Sequence, residues 1–270
     1  MSIIEKNSQD VPYLICEELE SAGGVVHGFS TRLGGVSEGM WASLNLGVSR
    51  GDDPDHVREN YRRFLGAIGA DGDMLAMSHQ VHGDHVRVVT SADWKSDPYG
   101  RIDYEADGLM TATPGVALVV FASDCIPVLL YDPVRRVVAA VHAGWKGTAS
   151  GIVTRAVEKM ADVYDCVPEN ILAAIGPGIC ADCFETHEDV PNAMMAAMGT
   201  QVLQHVQIKD NGKFSVDLKG INAMQLELAG VLPEHISVSD ECPGCLPDKY
   251  WSHRKTGDNR GSMAAVIQLR

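Results

Sequence analysis

Hydrophobic positions along the chain follow two periods. Val57, Tyr61, Phe64, Leu65 and Ile68 stand at i, i+4, i+7, i+8 and i+11, one face of a helix. Asp53-Pro54 just ahead reads as an N-cap followed by proline at the first helical position. Ile152, Ala156, Val157, Met160 and Tyr164 also fall on one side of a helix, predicted over 148–164. Further helices are expected at 189–198 and 218–229. Residues 23–30 are β-branched and apolar and read as a strand that runs into a glycine-rich turn at 31–35. Residues 85–90 alternate, whereas 115–123 are continuously apolar, as in a strand buried on both faces. Residues 128–131 and 136–142 flank the turn Asp132-Pro133 and predict a hairpin. A strand at 171–175 stops at Gly176-Pro177-Gly178, and another closes the chain at 263–269. Strands and helices alternate, but several strands join through short turns. The pattern predicts an α+β fold with mixed sheets flanked by helices, in a single domain over 1–270.

Composition narrows the function classes. The chain has 270 residues, 45% hydrophobic and 21% charged, which excludes a disordered protein and suffices for a large core. Lys plus Arg is 22 and Asp plus Glu 36, a net charge of −14. That charge argues against a nucleic-acid partner. A small anionic substrate would need a local positive pocket. The first ten residues contain no apolar core segment. The longest apolar run, 116–122, is far short of the ~20 residues that span a bilayer. A cytoplasmic protein without membrane contact is expected. Its seven cysteines are then reduced, as ligands, nucleophiles or core filler.

Three stretches gather reactive side chains beside turns: Ser78-His79-Gln80-Val81-His82-Gly83-Asp84-His85, Ser123-Asp124-Cys125-Ile126-Pro127, and Val141-His142-Ala143-Gly144-Trp145-Lys146-Gly147. Sequential strands often lie side by side, so Cys125 and His142 can meet. One histidine from each flank with Cys125 makes a three-ligand set with an open position, the pattern of catalytic zinc. The same residues would also serve as a metal-free Cys–His nucleophile, or as ordinary core and surface groups. A blue-copper site uses two His and one Cys as well, but no Met lies near Cys125 or His142 in sequence. Cys180/Cys183 and Cys242/Cys245 form two Cys-x-x-Cys pairs that could share a structural metal, although the gap between them is long. Arg32, within Thr-Arg-Leu-Gly-Gly, is the best anion anchor by its fork geometry and glycine neighbours. His253, Arg254, Lys255 and Arg260 form a second basic cluster, which as a type is more often a solvated loop.

Together these strings resemble the YfiH/YlmD family, cytoplasmic proteins labelled laccase-domain or multicopper polyphenol oxidoreductases and related to purine nucleoside phosphorylases. The resemblance rests on the segments 27–37 and 43–47, on Gln80-Val81-His82-Gly83, Ala106-Asp107-Gly108-Leu109 and Ser123-Asp124-Cys125, and on His142-Ala143-Gly144-Trp145-Lys146-Gly147-Thr148, Ile175-Gly176-Pro177 and 260–267. It implies a zinc on His82, Cys125 and His142, choosing His82 over His79 and His85, with copper as the lesser alternative. It implies phosphorolysis of adenosine, inosine, guanosine and methylthioadenosine, with adenosine deamination, so that purine nucleosides and phosphate are the expected partners. Arg32, Asn45 and Lys146 would bind substrate, and Asp124 would orient a ligand or accept a proton. Lys146 stands where the family usually has Arg and would offer a point charge rather than a fork. A fold like the cytotoxic necrotizing factor cysteine hydrolases makes editing of a UDP-muramoyl-serine precursor the alternative activity. A copper polyphenol oxidase ranks below it, since one His2Cys set lacks the several coppers of a laccase. The chain is expected to be a monomer or homodimer.

Overall fold

Strands in the middle of the chain are apolar at every position because both of their faces are covered. In the computed structural model, which describes residues 2–270, the Ala117–Ala122 and Ile126–Asp132 strands are almost wholly buried. They belong to two different sheets. The larger has seven strands in the order Ile3–Ser8, Val11–Cys16, Val25–Ser30, Met263–Leu269, Ala117–Ala122, Leu75–Ala76 and Trp94–Lys95. The second has six, in the order Ile236–Val238, Leu172–Ile175, Ile126–Asp132, Val137–Ala143, Gly108–Thr111 and Val86–Val88. Both mix parallel and antiparallel pairs.

Period-two alternation assigns each strand residue to one of three cores. Leu118, Val120, Ala265 and Ile267 of one sheet meet Leu129, Tyr131, Val138 and Ala140 of the other between the layers. Val119 and Val266 face outward against Val57, Tyr61, Phe64 and Leu65 of the Pro54–Ile68 helix. Val128, Leu130, Val137 and Ala139 face the opposite way, against the Ile152–Tyr164 and Leu218–Leu228 helices. The result is helix, sheet, sheet, helix: the expected α+β class with mixed sheets. A small third sheet (Glu185–Thr186, Phe214–Val216, Val206–Ile208) sits at the edge.

Local signals are obeyed where they are strong. The Asp53 side chain accepts from the Asp55 N–H at 2.8 Å and Pro54 opens the helix. The hairpin forms with Val137 opposite Asp132 and Ala143 opposite Ile126. Other expectations change. The helix over 148–164 is two, Trp145–Ala149 and Ile152–Tyr164, because Gly151 adopts φ 75 and breaks the ladder. The strand at 85–90 shrinks to Val86–Val88, and the one at 23–30 begins at Val25. The N-terminal hairpin Ile3–Ser8/Val11–Cys16 and the Glu17–Ala22 helix are additions that the hydrophobic pattern did not predict. Among the described residues, no helix is long and apolar enough to cross a membrane.

Candidate metal centre

The site lies where the chain crosses between sheets. Ser123, Asp124 and Cys125 join the end of Ala117–Ala122 to the start of Ile126–Asp132. The hairpin register puts His142 opposite Pro127, so its ring and the Cys125 sulfur share one sheet end. The loop after Leu75–Ala76 brings His82 to the same point. Gln80 docks that loop on the neighbouring strand: its amide gives to Phe121 O at 2.9 Å and takes the Phe121 N–H at 2.7 Å. The ligand atoms of His82, Cys125 and His142 then all lie within 4.8 Å of one another. The His82 and His142 rings meet edge to face, with centroids 4.9 Å apart. His79 and His85 stay outside this cluster, although His79 lines a cavity next to it. His79 is at 3.1 Å from Ile102 O, and His85 lines a surface dent beside Arg155.

Asp107 organises the centre. It is fully buried, and its carboxylate accepts the N–H groups of Val81 (3.1 Å), His82 (2.9 Å) and Gly83 (2.8 Å). It also lies 2.8 Å from Nδ1 of His142, and its backbone carbonyl takes the His142 N–H at 2.7 Å. One residue thus sets the His82 loop and the His142 ring, leaving Nε2 of His142 for the centre. Two non-glycine residues here adopt the left-handed region, His82 at φ 61 and Asp124 at φ 87. Such conformations cost about 1–3 kcal/mol each and persist only where surrounding bonds enforce them. Asp107 supplies those bonds for His82.

The electrostatics suit a cation-binding donor set. Burial alone would raise the Cys125 thiol, but the His142 and His82 rings outweigh it and hold the thiol below its ordinary value. Burial alone would lower His142, yet the Cys125 sulfur and the Asp107 carboxylate push it up. Asp107 itself is held below the usual carboxylate range despite burial, through His142 and the backbone N–H groups. One sulfur and two imidazoles, with a carboxylate behind one ring, fit a borderline-soft divalent metal.

Two cavities of about 280 and 390 Å³ meet at this point. Both are lined by His82, Cys125, Ser123, Arg50 and Arg260. The first is the more polar of the two, with Ser49, Ser78, Gln80 and Ser262 beside Val48, Ile102 and Phe121. The second has apolar walls from Trp145, Ile179, Phe184 and Leu218 and a rim of His253 and Arg254. Arg260 is buried: Nη1 gives to Ser123 Oγ at 2.6 Å and Gly261 O at 2.9 Å, while Nε is enclosed without a partner. Burial and the neighbouring Arg50 charge bring its guanidinium down to about 10. Arg50 and Arg260 thus place positive charge in both linings of a chain whose net charge is −14.

The expected site residues divide. His82, Cys125 and His142 come together, and Asp124 borders the second cavity. Asp124 Oδ2 takes the Arg254 N–H at 2.6 Å, while Oδ1 is enclosed without a partner, so the carboxylate positions the 252–254 segment. Arg32 lines neither cavity. Its donors go to Ala42 O (2.8 and 3.2 Å) and Pro247 O (2.8 Å), and its guanidinium stacks 3.8 Å from the Trp251 ring centre. Asn45 is fully buried and lines neither cavity. It accepts the Gly47 and Ser262 N–H groups at 2.9 and 3.0 Å and so shapes two residues that do. Lys146 is exposed, over the Trp145 ring, and outside both cavities. Sequence reasoning gave no role to Asp107 or Gln80 and placed Arg260 in a solvated cluster. Arg260 alone of that cluster is buried. Cys16 and Cys166 are core filler, pushed by burial up to about 11 and about 12.

The comparisons with known proteins agree on one relationship. The family model described as multi-copper polyphenol oxidoreductase laccase matches residues 26–270. A Deinococcus radiodurans protein named purine nucleoside phosphorylase is 42% identical over 91% of this chain and 89% of its own length. The Escherichia coli protein named purine nucleoside phosphorylase YfiH is 35% identical over 95% of this chain and 98% of its own. The crystal structure of YlmD from Geobacillus stearothermophilus matches with a TM-score of 0.91 at 31% identity, covering 99% of both chains.

Proposed function

Because the chain belongs to the YfiH/YlmD family, the one its laccase-model match and phosphorylase-named relatives define, we propose that it is a cytoplasmic, zinc-dependent purine nucleoside phosphorylase. Adenosine, inosine, guanosine and methylthioadenosine are its substrates, and adenosine deamination is a second activity of the same site. A zinc held by His82, Cys125 and His142 would supply Lewis acidity where the two cavities join.

The residues around that point take distinct parts. Arg260, with Arg50, holds phosphate in the polar cavity through charge-assisted hydrogen bonds. The purine lies against Trp145 and Phe184 in the second cavity, where flat apolar walls suit an aromatic base. A phosphate oxygen then faces ribose C1′. Bond formation there, with cleavage of the C1′–N9 bond, yields ribose 1-phosphate and the free base. Positioning two substrates on either side of one centre is the main catalytic contribution. In deamination, water adds at C6 of adenosine and ammonia leaves from the same carbon. Asp124 acts through the Arg254 backbone that it holds, keeping the rim of the base cavity in place.

The observation that carries this reading is the convergence of His82, Cys125 and His142 at the junction of a more polar cavity and a more apolar one, with buried Arg260 in both linings. The test is incubation with inosine and phosphate, followed for hypoxanthine and ribose 1-phosphate. Turnover that depends on phosphate and vanishes in Cys125→Ala supports it. The Cys125–His142 pairing favours a second reading, hydrolysis of an amide in a UDP-muramoyl-serine precursor. Release of serine from that precursor, with no phosphorolysis of inosine, would select it. A copper polyphenol oxidase has less support. Among the described residues, the other donor cluster is made of four cysteines and offers no imidazole for further coppers.

A further inference from the structure

Cys180, Cys183, Cys242 and Cys245 are far apart in sequence and have no part in the site above. Yet their sulfurs all lie within 4.8 Å of one another. The two Cys-x-x-Cys turns are built alike. Cys180 O accepts the N–H groups of Cys183 (3.1 Å) and Phe184 (2.9 Å). Cys242 O accepts those of Cys245 (3.1 Å) and Leu246 (3.0 Å) in the same pattern. A further N–H, that of Cys180, points at Cys242 Sγ at 3.2 Å and links one turn to the other.

We propose that these four cysteines hold a structural zinc ion as a tetrathiolate site. The spacing fits. Zinc–sulfur bonds of about 2.3 Å in a tetrahedron place sulfurs about 3.8 Å apart. Cys180–Cys245 is 3.7 Å and Cys183–Cys245 is 3.5 Å. Those distances are far beyond a disulfide bond of about 2.0 Å. An all-thiolate tetrahedral set selects a soft or borderline metal over magnesium or calcium. Close approach of the turns requires glycine between Cys242 and Cys245. A Cβ on Gly244 would lie 3.0 Å from Cys183 Sγ and 3.1 Å from its Cβ. A backbone N–H aimed at a sulfur, like that of Cys180 at Cys242, supports thiolate over thiol.

The site also has a place in the architecture. The first turn is flanked by Ile179 and Phe184, and the second leads into the segment with His253 and Arg254. All four line the apolar cavity. Arg254 bridges the two segments, giving to Glu185 O at 3.0 Å with its guanidinium 5.5 Å from the Phe184 ring centre. A zinc clamp between the turns fixes that wall.

The experiment is metal analysis of the full chain and of two variants, and it does not depend on the proposed activity. Cys125→Ala removes a donor of the central site, so the zinc it retains, about one per chain, reports the cysteine cluster. Cys183→Ser/Cys245→Ser should lose about one zinc per chain relative to the unmodified protein. Alkylation of the Cys125→Ala protein checks the result without disturbing the cluster: four thiols should react only after a chelator is added. The proposal is overturned if Cys125→Ala binds no zinc, if it binds another metal instead, or if the four cysteines are recovered as disulfides. Loss of the central zinc alone would count against the proposed function and leave this site standing.

Discussion

Replacing Asp107 by Asn tests the organisation of the centre without touching a ligand. The carboxylate carries four bonds. Oδ1 takes the His82 N–H and faces Nδ1 of His142, and Oδ2 takes the Val81 and Gly83 N–H groups. An amide can replace only one of these oxygens as an acceptor. With the NH2 at the Oδ2 position, two backbone donors lose their partner. With it at Oδ1, the His82 N–H is stranded, and His142 accepts at Nδ1 and carries its proton on Nε2, where it cannot ligate. Each unsatisfied buried donor costs about 1–3 kcal/mol. The loop at 81–83 is partly open, so water relieves the first arrangement. We expect a net loss of about 1–3 kcal/mol in stability. Loss of the carboxylate behind His142 should also weaken metal binding about 10–100-fold. Urea unfolding of metal-free protein measures the first, and competition with a chromophoric chelator the second. Unchanged zinc affinity in Asp107→Asn would refute the role given to this residue, whatever the stability change.

Three further substitutions separate the parts of the site. Gly144→Ala places a Cβ 2.8 Å from His82 Cδ2 and 3.2 Å from Cys125 Sγ, so metal content should fall with every ligand intact. Full loading in a folded Gly144→Ala protein would contradict the geometry. Arg260→Met should raise KM for phosphate about 10–100-fold, the equivalent of one lost charged hydrogen bond, with a smaller change in KM for nucleoside. Equal changes for both substrates would deny Arg260 the phosphate. Arg32→Lys loses the forked contacts to Ala42 and Pro247 and should cost about 1–3 kcal/mol in thermal or chemical unfolding, with KM for phosphate unchanged. A raised phosphate KM would restore Arg32 as an anion anchor.

Sequence made the fold class legible where one physical force dominated. The Pro54–Ile68 helix has one buried face and an Asp-Pro start, and both signals are local. Its N-terminal neighbours were not legible for equally physical reasons. The first hairpin turns through Gln9 and Asp10 at φ 54 and 63, without the Asn-Gly signature of such turns. Pro12 sits inside the second strand, paired with Asn7, where proline ordinarily argues against a strand. At the site, His82, Cys125 and His142 stood in recognisable strings, and the hairpin predicted from Asp132-Pro133 already brought two of them together. Asp107 and Arg260 act through contacts made only when the sheets stack. Arg32 illustrates the reverse. Its glycine-rich setting suggested an anion, but the carbonyls of Ala42 and Pro247 and the Trp251 indole, the last two far away in sequence, take its guanidinium instead. The paired cysteines were visible as pairs, while their meeting depends on the route of the chain between residues 183 and 242.

The most direct test links metal to reaction in one assay. Protein stripped by a chelator, and then reloaded with zinc or with copper, is given inosine and phosphate, and ribose 1-phosphate is measured. Product is expected with the native and zinc-reloaded protein, none with the stripped protein, and little with copper. Undiminished phosphorolysis in protein shown to be metal-free, or oxidation of a polyphenol by the copper form with no ribose 1-phosphate from any form, would contradict it.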